Sequence, residues 1–358
     1  MRDNISIKKQ KIFLTAVSAM LALFGSFSKA QEKTFFSVKF LGEFSPDPSV
    51  YSAGSSGNYF YLFGGKIYFF AWDIWLSSPD KKQIEGVCDS SFAICQSSSA
   101  YSLSSKCSFA KDENAWPLSI IVTDFKEYSG IRKYRVRMPF EAGGKYYLFY
   151  SLMNNFGPGL YDYFRVGQGL AVSDNIFGPY SKIKFEKSNF WFSDVEPSFG
   201  EAVIKSDGKI YIYGADPGAL YKKGAVLAAV DENKITDKKS WLYYTEDYED
   251  KKWTSDLPEA SVVIEGAEDE FSVSYNEYLG KYTALFYSRS LNKVILKLSK
   301  NPWGPWDSIY ELKSCIKEEY CAAAKEAPAL STEKGKKIIF VLEKKHIPYF
   351  YEVKFGKP

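Results

Sequence analysis

The 358-residue chain is short of several residues on which catalysis commonly depends, and each shortage closes a route. It has one histidine, His346. Any Ser-His-Asp chemistry would rest on that residue alone, no G-x-S-x-G accompanies it, and His346 reads as a surface residue. C-x-x-C is absent too, so no zinc site is expected and no metal or cofactor is implied. Beyond the N-terminus no apolar run reaches the roughly 20 residues that span a bilayer. No linker divides the chain. Neither sign of charge dominates: the formal charge is +3, residues 1–30 contribute Arg2, Lys8, Lys9, Lys11 and Lys29 against Asp3, a net of +4, and about −1 is left for the remainder. Nucleic acid and anionic membrane are therefore not expected partners.

Residues 1–30 read as a secretory signal peptide. Basic Lys8, Lys9 and Lys11 precede a 14-residue apolar run, Ile12 to Gly25, and Ser28-Lys29-Ala30 offers small residues at −3 and −1 of a cut. Residues 31–358 are then expected to form a single secreted or periplasmic domain, as a monomer. In that compartment disulfides persist. Cys315 and Cys321 are close enough for a local bridge. Of Cys88, Cys95 and Cys107, one pair is expected and one thiol left over.

What the chain does have is aromatic residues, 18 % of the total, and a recurring hairpin. In P-S-F-G-E-A-V-I-K-S-D-G-K-I-Y-I-Y-G-A-D (197–216), Asp207-Gly208 supplies the positive φ of a tight turn between two alternating strands. The turn recurs at Gly65-Lys66, Gly144-Lys145, Gly280-Lys281 and Gly335-Lys336, each followed by an aromatic or β-branched strand. The lysines are 79, 64, 72 and 55 residues apart, spacings that suit four-stranded blades of a propeller. A second echo, L-A-V-S-D-N-I-F-G-P-Y (170–180) with L-K-L-S-K-N-P-W-G-P-W (296–306), lies two repeats apart. The predicted fold is all-β, a five-bladed β-propeller. Its N-terminal strand (35–44) and C-terminal strand (349–355) share a blade, which hides both open edges. Residues 76–118, Ser-rich with three cysteines, read as a loop insertion on one face.

In such a wheel, the beginning of each blade's first strand and the end of its second emerge on one face. First-strand beginnings place Asn58, Arg137, Glu201, Glu270 with Ser272, and Glu326 there; second-strand ends add Asp73, Asn154, Asp216 and Arg289. Carboxylates among amides and aromatics suit a polysaccharide, and glycoside hydrolysis uses two carboxyl groups across the scissile bond. Asp73 and Glu201 are the first catalytic candidates and Glu270 the third. Arg137, Asn154, Asp216 and Arg289 are candidate substrate contacts. Asp174 should emerge on the opposite face.

The segments Y-F-Y-L-F-G-G-K-I-Y-F-F-A-W-D, S-F-G-E-A-V-I-K-S-D-G-K-I-Y-I-Y-G, E-F-S-V-S-Y-N-E-Y-L-G-K-Y and N-P-W-G-P-W, in this order, resemble the family of domain of unknown function 4185. Its members identified as enzymes are endo-D-arabinanases of glycoside hydrolase family 183. The resemblance implies a five-bladed propeller related in architecture to arabinanases and levansucrases. It places Asp73 on the second of two blade-one acids of the family. The first falls near Ser55 to Gly57, where this chain has no acid, and Asp47 does not align with it. Glu201 and Glu270 inherit little from the family pattern. The expected function is therefore that of a secreted glycoside hydrolase-like propeller acting on an extracellular polysaccharide or oligosaccharide, arabinofuranose-containing by the resemblance. The alternatives are a catalytically inactive glycan-binding propeller and a surface protein-interaction module that uses the Ser-rich segment.

Overall fold

The computed structural model describes residues 36–44, 52–77, 83–97, 99–103, 106–121, 132–157, 162–216, 224–246 and 252–356. The signal segment 1–30 and Asp47 lie outside them. Five antiparallel sheets follow one another around an axis. Blade one holds Ser52–Phe63, Lys66–Ser77, Ile84–Cys95 and Cys107–Phe109. Blade two is built on Arg132–Val136 with Phe140–Ala142, Lys145–Asn155, Tyr163–Ser173 and Ser181–Ile183. Blade three holds Ser198–Ser206, Lys209–Ala215 and Gly224–Asp231, edged by Leu242–Tyr244, Trp253–Thr254 and Val262–Glu265. Blade four is Ser272–Asn276, Lys281–Ser288, Lys293–Ser299 and Ser308–Ser314. Blade five is Cys321–Glu326, Lys337–Lys344 and Ile347–Phe355, closed by Phe36–Glu43. Phe36 lies opposite Phe355 and Glu43 opposite Tyr349, so the two ends of the chain share a blade as expected.

The sequence period explains why the blades pack. Second strands read as continuous apolar runs because both faces are buried, each against a different neighbour. In Lys66–Ser77, Ile67, Phe69 and Ala71 join the core between blades five and one, while Tyr68 and Phe70 join the core between blades one and two. Three further clusters fill the remaining junctions. Asp207 and Gly208 have φ of 53° and 72°, the left-handed pair that a two-residue hairpin between Ser206 and Lys209 demands. Blades one and two turn the same way, whereas residues 277–280 connect the first two strands of blade four and residues 327–336 those of blade five.

The Ser-rich segment departs from expectation. Residues 84–95 and 107–109 are the outer strands of blade one rather than a loop insertion. Small Ser, Ala and Cys residues hide their alternation. Cys95–Cys107 joins these two strands, Cys315–Cys321 closes the second bridge, and Cys88 is the free thiol.

Candidate functional site

Polar contacts at the mouth of the wheel cross every junction between blades. From blade one, Asp73 reaches blade two, where Lys133 Nζ lies 2.6 Å from Oδ1 and Arg135 Nη2 2.7 Å from Oδ2. The next link is Arg137, whose Nη2 sits 2.6 Å from Glu201 Oε1 on blade three. Glu201 Oε2 accepts the backbone N–H of Glu270 at 3.2 Å, at the entrance to blade four. Glu270 Oε2 in turn takes Lys325 Nζ of blade five at 2.7 Å. Glu343 of blade five closes the circle by accepting from Ser56 Oγ at 2.9 Å and Asn58 Nδ2 at 3.3 Å on blade one.

The backbone pays locally for this convergence: Asn58, Asp73 and Glu270 hold φ of 50°, 48° and 45°, a region costly to residues with a Cβ. Blade two supplies its cations by simple alternation. Lys133, Arg135 and Arg137 stand at every second position of K-Y-R-V-R and point the same way. Arg135 also lies over Trp72, 4.6 Å from the ring centre, and Lys325 over Tyr59 at 4.2 Å.

Two neighbouring carboxyl groups are driven in opposite directions. Burial raises the Glu201 pKa despite Arg137 beside it, and the nearby Asp269 and Glu270 add to the rise. Burial acts on Glu270 as well, but Lys325 and then Arg137 outweigh it, so its pKa falls below the usual carboxylate value. Glu343 is raised by burial, and His346, whose Nδ1 lies 3.2 Å from Glu343 Oε1, is raised by that contact.

Hydrogen-bonding capacity at the mouth is left over. Among the described residues the Tyr59 hydroxyl, Trp72 Nε1, Arg137 Nε and Nη1 and Asn154 Oδ1 are buried with no hydrogen-bond partner. Tyr59, Glu201, Lys325 and Glu326 wall a cavity of about 40 Å³. Buried polar groups without partners are rare, and a cluster of them marks a place where something else supplies the bonds.

Asp73, Glu201, Glu270, Arg137 and Asn154 thus stand at one mouth. Asp216 is buried at the end of its strand, with its N–H donating to Gly224 O. Arg289 stands on the exposed rim, paired with Asp269 at 3.0 Å. Asp174 is exposed and meets Lys145 at the hairpin end of blade two, away from the mouth. Lys133, Arg135, Lys325 and Glu343 were not singled out by the sequence. The rule of second-strand ends, applied to blade five, names Glu343. His346 is half-buried against Trp75 rather than a plain surface residue. The described residues gather one trio of potential metal ligands, Cys315, Glu319 and Cys321. Its two sulfurs are joined in a disulfide and its carboxylate is held by Lys313 and Lys344.

Five antiparallel sheets around a mouth of cation-held carboxylates define a five-bladed β-propeller. The chain belongs to the family of the domain of unknown function DUF4185, which it matches over residues 136–351. The blade-one segment that carries part of the resemblance precedes that range. Among solved structures, a candidate hydrolase from Bacteroides ovatus ATCC 8483 superposes with a TM-score of 0.58 at 17 % identity, over 88 % of this chain and 87 % of that one. An exo-β-1,3-galactanase from Phanerochaete chrysosporium, crystallised with β-1,3-galactotriose, gives 0.53 at 14 %, over 88 % of this chain and 64 % of that one. The GH43_1 enzyme from Xanthomonas citri gives 0.49 at 13 %, over 88 % and 89 %. No curated protein matches the sequence. Among the described residues no helix is long and apolar enough to cross a membrane.

Proposed function

We propose that the protein is an exported glycoside hydrolase whose site is the mouth and whose substrate is an extracellular polysaccharide, arabinofuranose-containing by the family resemblance. The observation that carries this is the set of buried atoms without hydrogen-bond partners, Tyr59 OH, Trp72 Nε1, Arg137 Nε and Nη1 and Asn154 Oδ1, beside two carboxyl groups of opposed acidity. A polyhydroxylated ligand offers donors and acceptors together and can satisfy all of them. Glu201 is the proton donor to the departing sugar oxygen, because burial favours its neutral form. Glu270, kept ionised by Lys325, acts as base toward water or as nucleophile. Asp73, expected as a member of the pair, in this reading fixes Lys133 and Arg135 where sugar hydroxyls arrive. Two disulfides fit an oxidising compartment.

A second reading, a propeller that binds glycan without cleaving it, draws on the acid-free stretch Ser55 to Gly57 and on the cations that hold Asp73. Incubation of the protein with arabinans, xylans and galactans separates the two. Released oligosaccharides establish hydrolysis, and saturable binding without release establishes the second reading. Neither binding nor release would sink both and turn attention to protein partners.

A further inference from the structure

The repeated segments 170–180 and 296–306 fold into the same turn but leave different surroundings. In each, a serine hydroxyl accepts an asparagine N–H at 3.1 Å, Ser173 from Asn175 and Ser299 from Asn301. In each, the glycine N–H returns to that asparagine's carbonyl, at 2.9 Å from Gly178 and 3.1 Å from Gly304. The blade-two copy is filled. Phe177 packs on Tyr68 and Phe92 at 4.6 and 5.2 Å, and the buried Tyr180 donates to Ile176 O at 2.8 Å. Ala171, wholly buried, completes that wall.

In blade four the corresponding residues are Trp303, Trp306 and Lys297, and between them and the outer strands of blade three lies a cavity of about 330 Å³. That is within the range of small-molecule sites, about 300–1,000 Å³. Trp306 is 7 % exposed, and its Nε1 is buried with no hydrogen-bond partner among the described residues, whereas the Tyr180 hydroxyl has one. Lys297 reaches Glu265 O at 2.9 Å and keeps the rest of its donor capacity at the wall. Tyr244 and Trp303 supply aromatic surface, while Glu246 and Lys252 stand on the same wall with opposite charges. The turn 300–307 follows the far end of Lys293–Ser299, whose first residue lies opposite Ser288 at the mouth, so this cavity opens away from the mouth.

We propose that this flank cavity is a second carbohydrate site, for a neutral oligosaccharide, which anchors a stretch of polymer remote from the mouth. Aromatic faces match the apolar faces of sugar rings. Lys252 and Lys297 balance Glu246 and Glu265 on the wall, which disfavours a strongly anionic ligand, and the spare Trp306 N–H suits a hydroxyl. The site stands whether or not the mouth hydrolyses.

The test uses the protein carrying Glu201→Gln, so that ligand is not consumed, with its indole nitrogens labelled. Arabinotriose, xylotriose and β-1,3-galactotriose are titrated while the tryptophan N–H resonances are followed. At least one trisaccharide should move Trp303 and Trp306 saturably. Trp303→Ala should weaken that response about tenfold or more, as truncation of a Trp anchor does. Should Trp303→Ala not fold, Glu246→Ala with Lys252→Ala, both on exposed residues, should weaken it with an unchanged melting curve. Shifts at Trp72 alone would assign all binding to the mouth and overturn the second site. An absence of shifts at Trp303 and Trp306 with all three probes would overturn it as well.

Discussion

At the scale of residues, the mouth stores charge in buried pairs, and breaking one exposes its cost. Arg137 and Glu201 are 9 % and 0 % exposed in their side chains. Arg137→Ala should therefore lower stability by about 3–5 kcal/mol in denaturant titrations, because a buried carboxylate loses its partner. Replacing both by methionine should restore much of that loss. Glu326 makes the complementary case, since its carboxyl accepts from the Ser274 and Thr283 hydroxyls at 2.7 and 3.1 Å, and burial raises its pKa. A carboxyl whose folded pKa is raised contributes stability in full below its unfolded value and loses it as pH rises through the folded value. Glu326→Gln removes that loss. Its melting temperature minus that of the wild type should grow from pH 4 to pH 8, and a flat difference would refute the burial effect. Alternation and strand-end rules brought Asp73, Glu201, Glu270, Arg137 and Asn154 to the mouth from sequence alone. They could not show which cation meets which acid. Asp73 pairs with residues 60 and 62 positions away, a matter of blade neighbourhood rather than of local pattern.

At the scale of elements, the turn signals carried the hairpins and the outer strands escaped them. Second strands announce themselves with Ile, Tyr and Phe because both faces are buried. Ile84–Cys95 and Cys107–Phe109 carry small residues, so their strand character stayed hidden and the segment read as loops. The bridge Cys95–Cys107 links two outer strands that pair over only residues 93–95 and 107–109. It spans 12 residues, and replacing both cysteines by alanine should cost about 2–3 kcal/mol. Hydrogen exchange should show the added opening in residues 84–109 and leave blade four unchanged. Uniformly faster exchange in every blade would mean that the bridge supports the whole wheel instead.

At the scale of the whole molecule, the circle is closed twice, once by the Phe36–Glu43 strand completing blade five and once by the polar contacts around the mouth. The first closure was legible because the edge strands of an open wheel must be covered. The second was not, since Glu343 and Lys325 meet their partners only after all five blades are in place. That convergence sets Glu201, whose pKa is raised by burial, beside Glu270, whose pKa is lowered by Lys325 and Arg137, among donor atoms left without partners, and the functional account stands on it. The most direct test compares glycan cleavage by the wild-type protein with that by Glu201→Gln under identical conditions. The account predicts oligosaccharide release by the wild type, and a loss of about 10²–10⁴ in rate for the variant with glycan binding retained. Cleavage by Glu201→Gln at the wild-type rate would contradict it.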